Sequence, residues 1–440
     1  MTVIRPFRGL RYNLSRISDM KSVVAPPYDV IDPTEEEALR ARDPHNVVRL
    51  TLGKSPRNGR SKSKYLEAAA TLQKWTDDGI LSRDNEHSIY VLEQGFRYGN
   101  EQYIRRGFIS ALQLEEPGSK NVFPHEHTMS SPKDDRYRLM RSCQTKLSPI
   151  ITTCSDTDGT VDSLLSDICT ANPLFSFDDD DGVSYRLWNI TDPEKISTLR
   201  EEVLDCSMVI ADGHHRFESA FKFAQDNRSQ DLAWGEDPLD YIPSLCISVY
   251  NRGLKIFPTH RRIRCNTLTT ETISRVLSRN FNVSPAENVS ADTIDQHYLQ
   301  SENPESTIIC ALPDGELVEL SPANIGTLRS RFPENADSWW KLPVALLHYV
   351  ILPDILDISP EDSVNSDLID YHHSGQEVVT SVRGGDFNAG FLLPPASPET
   401  VQRVASGGER LPQKSTYFYP KIVSGLVFYP HTADVLPQMP

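Results

Sequence analysis

The sequence predicts a mixed α/β protein, because helical and strand patterns follow one another along the chain. An amphipathic pattern over 65–78 has apolar residues near helical spacing and stops before Gly79, a residue type that commonly follows a helix. Two apolar runs, 88–96 and 105–114, flank the polar turn RYGNEQY, which is typical of a β-hairpin. From 183 to 250, strand and helix patterns alternate, which argues against both a helical bundle and an all-β sandwich.

The later elements fall into two groups, on either side of a change near residue 265. The first group is a strand, a helix, a strand, a helix and a β-rich run, predicted at 183–190, 193–205, 207–212, from 214 onward and at 241–250. The second group is two helices, a hairpin, a long apolar helix and a final strand and helix, predicted at 273–277, 291–299, 306–320, 339–352 and 390–406. We therefore expect one domain over 1–265 and a second α/β unit over 266–440.

The composition indicates a globular protein and argues against several functional classes. The 440 residues include 45 basic and 61 acidic side chains, a net charge of −16 that does not suit a general nucleic-acid or membrane surface. The longest apolar segment, 342–352, is too short to span a bilayer, and the first residues lack a signal-peptide pattern. Seven scattered cysteines form no C-x-x-C pair, which argues against a disulfide framework or a zinc ribbon. We expect a cytoplasmic protein that binds neither nucleic acid nor membranes.

The stretch VIADGHHRFESA, 209–220, places a glycine between a predicted strand and a predicted helix. Gly213 can adopt a positive φ there and lets a ligand approach the backbone. The start of the helix leaves N–H groups unpaired and carries a positive partial charge, which favours an anion. Arg216 falls in the first helical turn, where its charge is unfavourable for the helix dipole but useful if an anion is bound.

Two other interpretations of this stretch stay open on the residues alone. Asp212 could be a plain N-cap of the helix, with His214 and His215 hydrogen-bonded to the backbone. A shared metal is not expected, because adjacent residues on a helix point roughly 100° apart. The residues themselves therefore leave an anion site and a structural turn as alternatives.

Three further clusters carry reactive side chains. The segment PHEHT combines His125 with a proton-transfer carboxylate, Glu126, and PKDDR follows it with Lys133 and Arg136. This region could also be a charged surface loop, and its H-x-H pair has no third metal ligand nearby. The loop VAPPYDV is stiffened by two prolines and presents Asp29. The fourth cluster, LPQKSTYFYPK, is cationic and rich in hydroxyl groups.

Together these stretches resemble the family known as domain of unknown function 1015, over nearly the whole chain. The matching motifs, in order, are RPFRGLRYN, VVAPPYDVI, PHE-x-T with PK-x-DR, ADGHHR, PTHR and PQKSTYFYPK. The match departs mildly at Leu411, where the family pattern has methionine. The ADGHHR turn is also similar to the Gly-x-x-Arg turn of the ParB and sulfiredoxin superfamily. That superfamily includes nucleotide-binding partition proteins and free-serine kinases using ADP or ATP.

The resemblance implies a ParB/sulfiredoxin-like nucleotide-binding core with a second α/β unit. It implies that the turn and the helix start hold phosphates, with Asp212 as a candidate for magnesium or for positioning the acceptor. The phosphate contacts that it implies are Gly213, His214, His215 and Arg216. A sulfiredoxin reaction is excluded, because that reaction needs a cysteine where this chain has His214.

We therefore expect a phosphotransferase that moves a phosphoryl group between ADP or ATP and a small hydroxyl-bearing metabolite, similar to free serine, with Mg²⁺. Lys133 and Arg136 would neutralise the developing charge, and Glu126 or Asp29 would be the base for the acceptor hydroxyl. The loop residues Lys414, Ser415 and Thr416 would close the site from the C-terminal unit.

Two rival functions belong to other classes. A phosphatase or hydrolase would use His125 or His215 as nucleophile or acid and would need no nucleotide. A non-catalytic nucleotide-binding protein of ParB type would bind without turnover. The acidic net charge, and the lack of a helix-turn-helix with a basic recognition face, count against DNA binding in that case.

Overall fold

A computed structural model describes most of the chain. The described residues are 1–53, 63–116, 119–126, 130–287, 289–294, 307–324, 326, 328, 330, 339–359 and 366–432, without the side chains of 130, 131 and 341. The predicted helix at 291–299 lies largely outside these residues, as do His127 and Thr128 of the PHEHT motif.

The strands of the described residues range in length from two to 13 residues. In chain order they are β1 (Ile4–Arg5), β2 (Leu10–Tyr12), β3 (Leu81–Arg83), β4 (Ile89–Tyr98), β5 (Glu101–Gln113), β6 (Val122–Pro124), β7 (Thr145–Lys146), β8 (Ile150–Cys154), β9 (Phe175–Asp178), β10 (Ser184–Ile190), β11 (Met208–Asp212), β12 (Tyr241–Ser248), β13 (Lys255–Phe257), β14 (His260–Ile263), β15 (Phe281–Pro285), β16 (Ile308–Ala311), β17 (Leu317–Pro322), β18 (Ile369–His372), β19 (Ala389–Leu392), β20 (Tyr417–Tyr419) and β21 (Tyr429–Pro430).

The helices alternate with these strands, as the sequence predicts. In chain order they are α1 (Met20–Val23), α2 (Pro33–Arg42), α3 (Val48–Thr51), α4 (Lys64–Asp77), α5 (Ser130–Cys143), α6 (Thr160–Ile168), α7 (Pro193–Leu204), α8 (His214–Asn227), α9 (Thr270–Leu277), α10 (Pro343–Leu346), α11 (Leu352–Leu356), α12 (Gly375–Arg383) and α13 (Pro398–Ser406), with 3₁₀ turns at Pro238–Asp240 and Trp339–Lys341 and a π-helix at Leu347–Ile351. The prediction of a mixed α/β fold is confirmed.

The chain forms two compact units, and the first is discontinuous in sequence. It comprises Met1–Pro124, Thr128–Leu254 and Pro420–Pro440. The second comprises His125–His127 and Lys255–Tyr419. The end of the chain therefore returns to the first unit.

A nine-stranded mixed sheet is the centre of the first unit, as far as its residues are described. Its strand order is β6-β11-β8-β12-β5-β4-β10-β9, and β1 pairs with β5. The β11/β6 and β12/β8 pairs are parallel, and the hairpin β4–β5 is antiparallel as predicted. The strand β11, from which α8 follows, therefore lies inside the sheet between β6 and β8.

Helix α8 is fixed by its apolar face, which the sequence pattern indicates. Phe217, Ala220, Phe223 and Ala224 are all buried in the core of the first unit, with strand residues such as Ile150. Burying a side chain the size of phenylalanine stabilises a fold by about 1.5–3 kcal/mol. This packing holds the start of α8 in one place.

The second unit contains a six-stranded antiparallel sheet in the order β15-β17-β16-β19-β14-β18, within the described residues. The predicted hairpin is present as β16–β17, with Gly315 at φ 87° in its turn. The predicted long apolar helix over 339–352 is present from Pro343 and runs without a break to Leu356, so its start is later than predicted. The segment is a 3₁₀ turn followed by α10, the π-helix and α11, because Pro343 starts a new helix and Pro353 has no N–H to donate to the preceding turn.

No helix in the described part of the chain has both the length and the apolar character needed to cross a bilayer.

Candidate functional site

The turn at Gly213 has the geometry that the sequence predicts. Strand β11 ends at Asp212, α8 begins at His214, and Gly213 between them has φ 95° and ψ 28°. A Cβ at this position would lie 2.8 Å from Cγ2 of Ile150 and 3.0 Å from Nε of Arg216. Both the backbone conformation and the close approach therefore require glycine.

Asp212 is bound by two cations and does not cap the helix. Its Oδ1 lies 2.5 Å from Nζ of Lys421, and its Oδ2 lies 2.5 Å from Nη2 of Arg216. Gly213 occupies the N-cap position, and no side chain caps α8. The interpretation of Asp212 as a plain N-cap is therefore wrong.

The electrostatics of Asp212 follow from these contacts. Burial raises the pKa of Asp212, yet the charges of Lys421 and Arg216 outweigh burial and hold that pKa well below its ordinary value. Both carboxylate oxygens accept hydrogen bonds from cations. Asp212 in this arrangement does not fit the expected role of a magnesium ligand, because magnesium needs a carboxylate oxygen directed at the ion.

Arg216 and Arg136, from two separate motifs, line one cavity of the first unit. The cavity has a volume of about 40 Å³. Arg216 also donates to the carbonyl of Pro149, and Arg136 donates to the carbonyl of Thr51, 3.1 Å away. The other lining residues are Tyr28, Thr51, Leu139, Met140, Thr145, Lys146, Leu147, Ser148 and Ile242.

Arg136 is held between an aromatic ring and a carboxylate. Its guanidinium lies 3.8 Å from the centre of the Tyr28 ring, and its Nε donates to Asp135 over 2.9 Å. Asp135 also binds Nζ of Lys64 at 2.6 Å. These contacts hold the Arg136 side chain against the cavity wall.

The remaining predicted phosphate contacts of the first unit lie close to this turn along α5 and α8. His214 is buried, and its charge contributes to the low pKa of Asp212. The carbonyl of His215 accepts a hydrogen bond of 2.6 Å from Oγ of Ser219. Lys133 is partly exposed and pairs with Glu218 on α8 at 2.9 Å.

Asp29 lies on an exposed loop of the first unit, next to Tyr28. Burial raises the pKa of Tyr28, the charge of Arg136 opposes that rise, and the charges of Asp29 and Arg216 act on the same hydroxyl. Asp29 and both arginines that line the cavity therefore lie within electrostatic range of the Tyr28 hydroxyl.

A second group of predicted residues comes together inside the second unit. Oε1 of Glu126 accepts hydrogen bonds from the backbone N–H groups of Ser415, at 3.1 Å, and Thr416, at 3.2 Å. It also accepts from Oγ1 of Thr416 at 3.2 Å, and Nε2 of His125 lies 2.7 Å from that hydroxyl. The motifs PHE and PQKST are therefore joined, although almost 300 residues separate them.

Arg261 of the PTHR motif holds the same loop from another side. It is buried, and its Nη2 donates to the carbonyl of Lys414 at 3.1 Å. Burial lowers the pKa of Arg261 to about 10, against the opposing charges of Tyr371 and Glu126. Lys414 itself is exposed and has φ 59°. Arg261 and Glu126 together determine the shape of the loop that presents Lys414.

Two residues of the first unit were missed by the sequence interpretation. Lys421, the partner of Asp212, is the last residue of the PQKSTYFYPK motif. Tyr28, which packs on Arg136, directly precedes Asp29. Both residues lie in motifs that the sequence analysis names, and their place in those motifs could have identified them.

Among the described residues, Asp156, Asp158 and Glu202 are close enough to hold a metal ion, since one carboxylate oxygen of each lies within 4.8 Å of the others. None of these three residues belongs to a predicted site.

The chain matches a known protein family. A family model described as protein of unknown function (DUF1015) matches residues 4–345. A search of curated proteins finds no match.

Several solved structures are similar to the chain. A conserved hypothetical protein from Pyrococcus furiosus is 13% identical, with 70% of this chain and 91% of that chain covered and a TM-score of 0.34. A free serine kinase in complex with AMP is 12% identical, with 70% and 89% covered and a TM-score of 0.35. SbnI with C-terminal truncation from Staphylococcus aureus is 10% identical, with 72% and 86% covered and a TM-score of 0.33.

Proposed function

This chain belongs to the DUF1015 family, and we propose that it transfers a phosphoryl group between ADP or ATP and a small hydroxyl-bearing metabolite similar to free serine. One observation carries the proposal. Arg136 and Arg216, which lie in two separate motifs, line the same cavity beside the glycine turn. Guanidinium groups that converge on one cavity are well suited to bind phosphate.

The charges around the cavity support binding of an anion. Asp135 is shared by Arg136 and Lys64, and Asp212 is shared by Arg216 and Lys421. Four positive charges against two negative charges leave a net charge of about +2 in these two clusters. A terminal phosphate, with a charge of about −1.5 to −2 at pH 7, would balance that excess.

The size of the cavity limits which part of a nucleotide enters it. One water molecule needs roughly 10–15 Å³, so the volume of about 40 Å³ corresponds to about three waters. That space is comparable to the oxygens of a single phosphoryl group. In this proposal the cavity takes a phosphoryl group, and the nucleoside lies outside it.

Phosphoryl transfer asks the protein mainly for positioning and for positive charge on the moving group. Arg136 and Arg216 would hold the phosphate. We assign the base to Asp29, because it is exposed and close enough for its charge to act on Tyr28 beside Arg136. Glu126 would instead anchor the 414–416 loop, because three hydrogen bonds converge on its Oε1.

The alternative phosphatase or hydrolase would use His125 or His215 as nucleophile or acid, and the surroundings of His125 count against that residue. His125 is only 1% exposed, and its Nε2 contacts the hydroxyl of Thr416. A nucleophile must reach a substrate, and a buried ring held in this way does not. His215 is the more accessible histidine of the two.

A product screen tests the proposed activity. The purified chain is incubated with ADP or ATP and pooled hydroxy and amino acids, and phosphorylated products are measured by mass spectrometry. We expect a product that depends on nucleotide and is lost in Arg216→Ala but kept in Arg138→Ala, which removes an exposed arginine of α5. Nucleotide binding without product would contradict transfer and favour the non-catalytic function. A parallel incubation with phosphorylated metabolites and no nucleotide tests the phosphatase, which release of inorganic phosphate from them would favour.

A further inference from the structure

Lys421 is fixed beside Asp212 by the sheet of the first unit. Its carbonyl accepts hydrogen bonds from Nε2 of Gln94 on β4, at 3.2 Å, and from the hydroxyl of Tyr185 on β10, at 3.3 Å. Arg105 on β5 donates to the carbonyl of the preceding residue, Pro420. Three strands therefore hold the backbone that presents the Lys421 ammonium group.

The segment that carries Lys421 also pairs with the loop that carries Tyr28 and Asp29. Ser424 and Ala25 pair through their backbones, with the N–H of Ser424 2.8 Å from the carbonyl of Ala25. The hydroxyl of Ser424 lies 2.8 Å from that of Ser148, which lines the cavity. The position of Lys421 is thus coupled to the walls of the cavity.

The two oxygens of Asp212 are divided between two cations. Oδ1 binds Lys421 and Oδ2 binds Arg216, and all three side chains are at least four-fifths buried. A single carboxylate can neutralise one of these cations. The trio of Asp212, Arg216 and Lys421 therefore has a net charge of +1. Arg216 and Asp212 alone would form a neutral pair with little attraction for an anion.

We propose that Lys421 is a positioning residue of the anion site, which neutralises Asp212 so that Arg216 presents a net positive charge to a bound phosphate. The inference rests on the proposed function, because it concerns the anion that Arg216 binds there. Lys421 acts through Asp212 and Arg216 and need not touch the ligand. The same contact also explains why an acid can stand beside a phosphate site without repelling the phosphate.

A charge cycle of four proteins tests this role, with ADP as the probe in low-salt buffer and calorimetry as the measurement. The net charge of the trio is +1 in the wild type, 0 in Lys421→Met, +2 in Asp212→Asn and +1 in the double variant. We expect Asp212→Asn to bind most tightly, Lys421→Met most weakly, and the double variant to bind like the wild type. Each unit of charge in the trio should change Kd by at least about tenfold, because Coulomb's law gives roughly that factor for each unit of phosphate charge about 10 Å away at an effective dielectric constant of about 20.

Two further variants serve as controls. Lys21→Met removes a lysine that pairs with Asp180 and does not line the cavity, so it should leave Kd unchanged. Lys421→Arg keeps the charge and should bind like the wild type. Thermal unfolding followed by circular dichroism shows whether each variant folds, and if Lys421→Met does not fold, the comparison of Asp212→Asn with the wild type still tests the prediction.

The outcomes separate this inference from the proposed function. A double variant that binds no better than Lys421→Met, or an Asp212→Asn protein that binds more weakly than the wild type, would overturn the role of Lys421 alone. A wild type that does not bind ADP at all would overturn both.

Discussion

Arg216 stands where helix electrostatics disfavour a positive charge. It lies in the first turn of α8, and a cation at that end typically costs about 0.3–1 kcal/mol. The ion pair with Asp212 offsets this cost, and both side chains are largely buried. In the proposed function this cation has a second role, because an anion bound at the same end of the helix would be stabilised by Arg216.

Gly213→Ala tests whether the close approach of Ile150 and Arg216 to position 213 lowers the stability of the variant in addition to backbone strain. A non-glycine residue at positive φ costs about 1–3 kcal/mol, and here a Cβ would also meet Ile150 and Arg216 at 2.8 and 3.0 Å. We expect this variant to lower the free energy of unfolding in urea by more than Gly79→Ala does. Gly79 has φ 70°, and a Cβ added there would meet no atom of a non-neighbouring residue within 4 Å, so this position isolates the strain. Equal losses in the two variants would show that the close approach contributes nothing.

The residues at the turn could be predicted only in part. The need for glycine at 213 and the placement of Arg216 follow from a strand pattern that runs directly into a helix pattern. The ion pair between Asp212 and Lys421 does not follow, because 209 residues separate the two partners and no local pattern encodes their contact. Long-range partners of charged residues depend on the tertiary fold.

The carboxylate of Asp135 joins helices α4 and α5, and its titration should affect the stability of the protein at acid pH. Burial raises the pKa of Asp135, but the charge of Arg136 and hydrogen bonds from Lys64, Arg136 and Tyr65 lower it from 3.8 to about 2. A carboxylate whose pKa is lower in the folded state stabilises the fold above its unfolded pKa. That stabilisation is lost as the pH falls from about 3.8 towards 2.

In Asp135→Asn the free energy of unfolding should therefore fall less steeply as the pH is lowered into the acid range. We expect the wild type to lose about 1–2 kcal/mol more than the variant between pH 5 and pH 2, after allowance for the partial exposure of this side chain. Urea unfolding at several pH values, followed by circular dichroism, measures the difference. Parallel profiles for the two proteins would mean that Asp135 does not link the helices as its contacts indicate.

Element by element, periodicity predicts well where one face of an element is buried. The hairpin β4–β5 and the helix α8 follow from their apolar patterns. The segment 339–352 shows the limit, because its apolar character does not reveal that the helix begins only at Pro343 or that a π-helical turn follows. Such a segment is buried on nearly all sides, so its apolar residues do not mark one face and do not show where the helix begins.

At the scale of the whole molecule, the path of the chain places residues 420–432 in the first unit. Strand β21 pairs with β7, and the segment before it carries Lys421. Composition changes along a sequence can mark a boundary, but they do not show that a later segment returns to an earlier unit. The protein has a net charge of −16, so the cationic cavity is a local feature that total charge does not predict.

The most direct test of the central claim is the affinity for ADP, measured by calorimetry, of the wild type and three arginine variants. Arg216→Ala and Arg136→Ala each remove a cavity arginine, and Arg138→Ala removes an exposed arginine of the same helix as Arg136. Because a hydrogen bond to a charged group contributes about 1.5–3 kcal/mol, we expect Kd to rise roughly 10- to 100-fold in the two cavity variants and to stay unchanged in Arg138→Ala. Equal affinities in all four proteins would contradict the claim that this cavity binds phosphate.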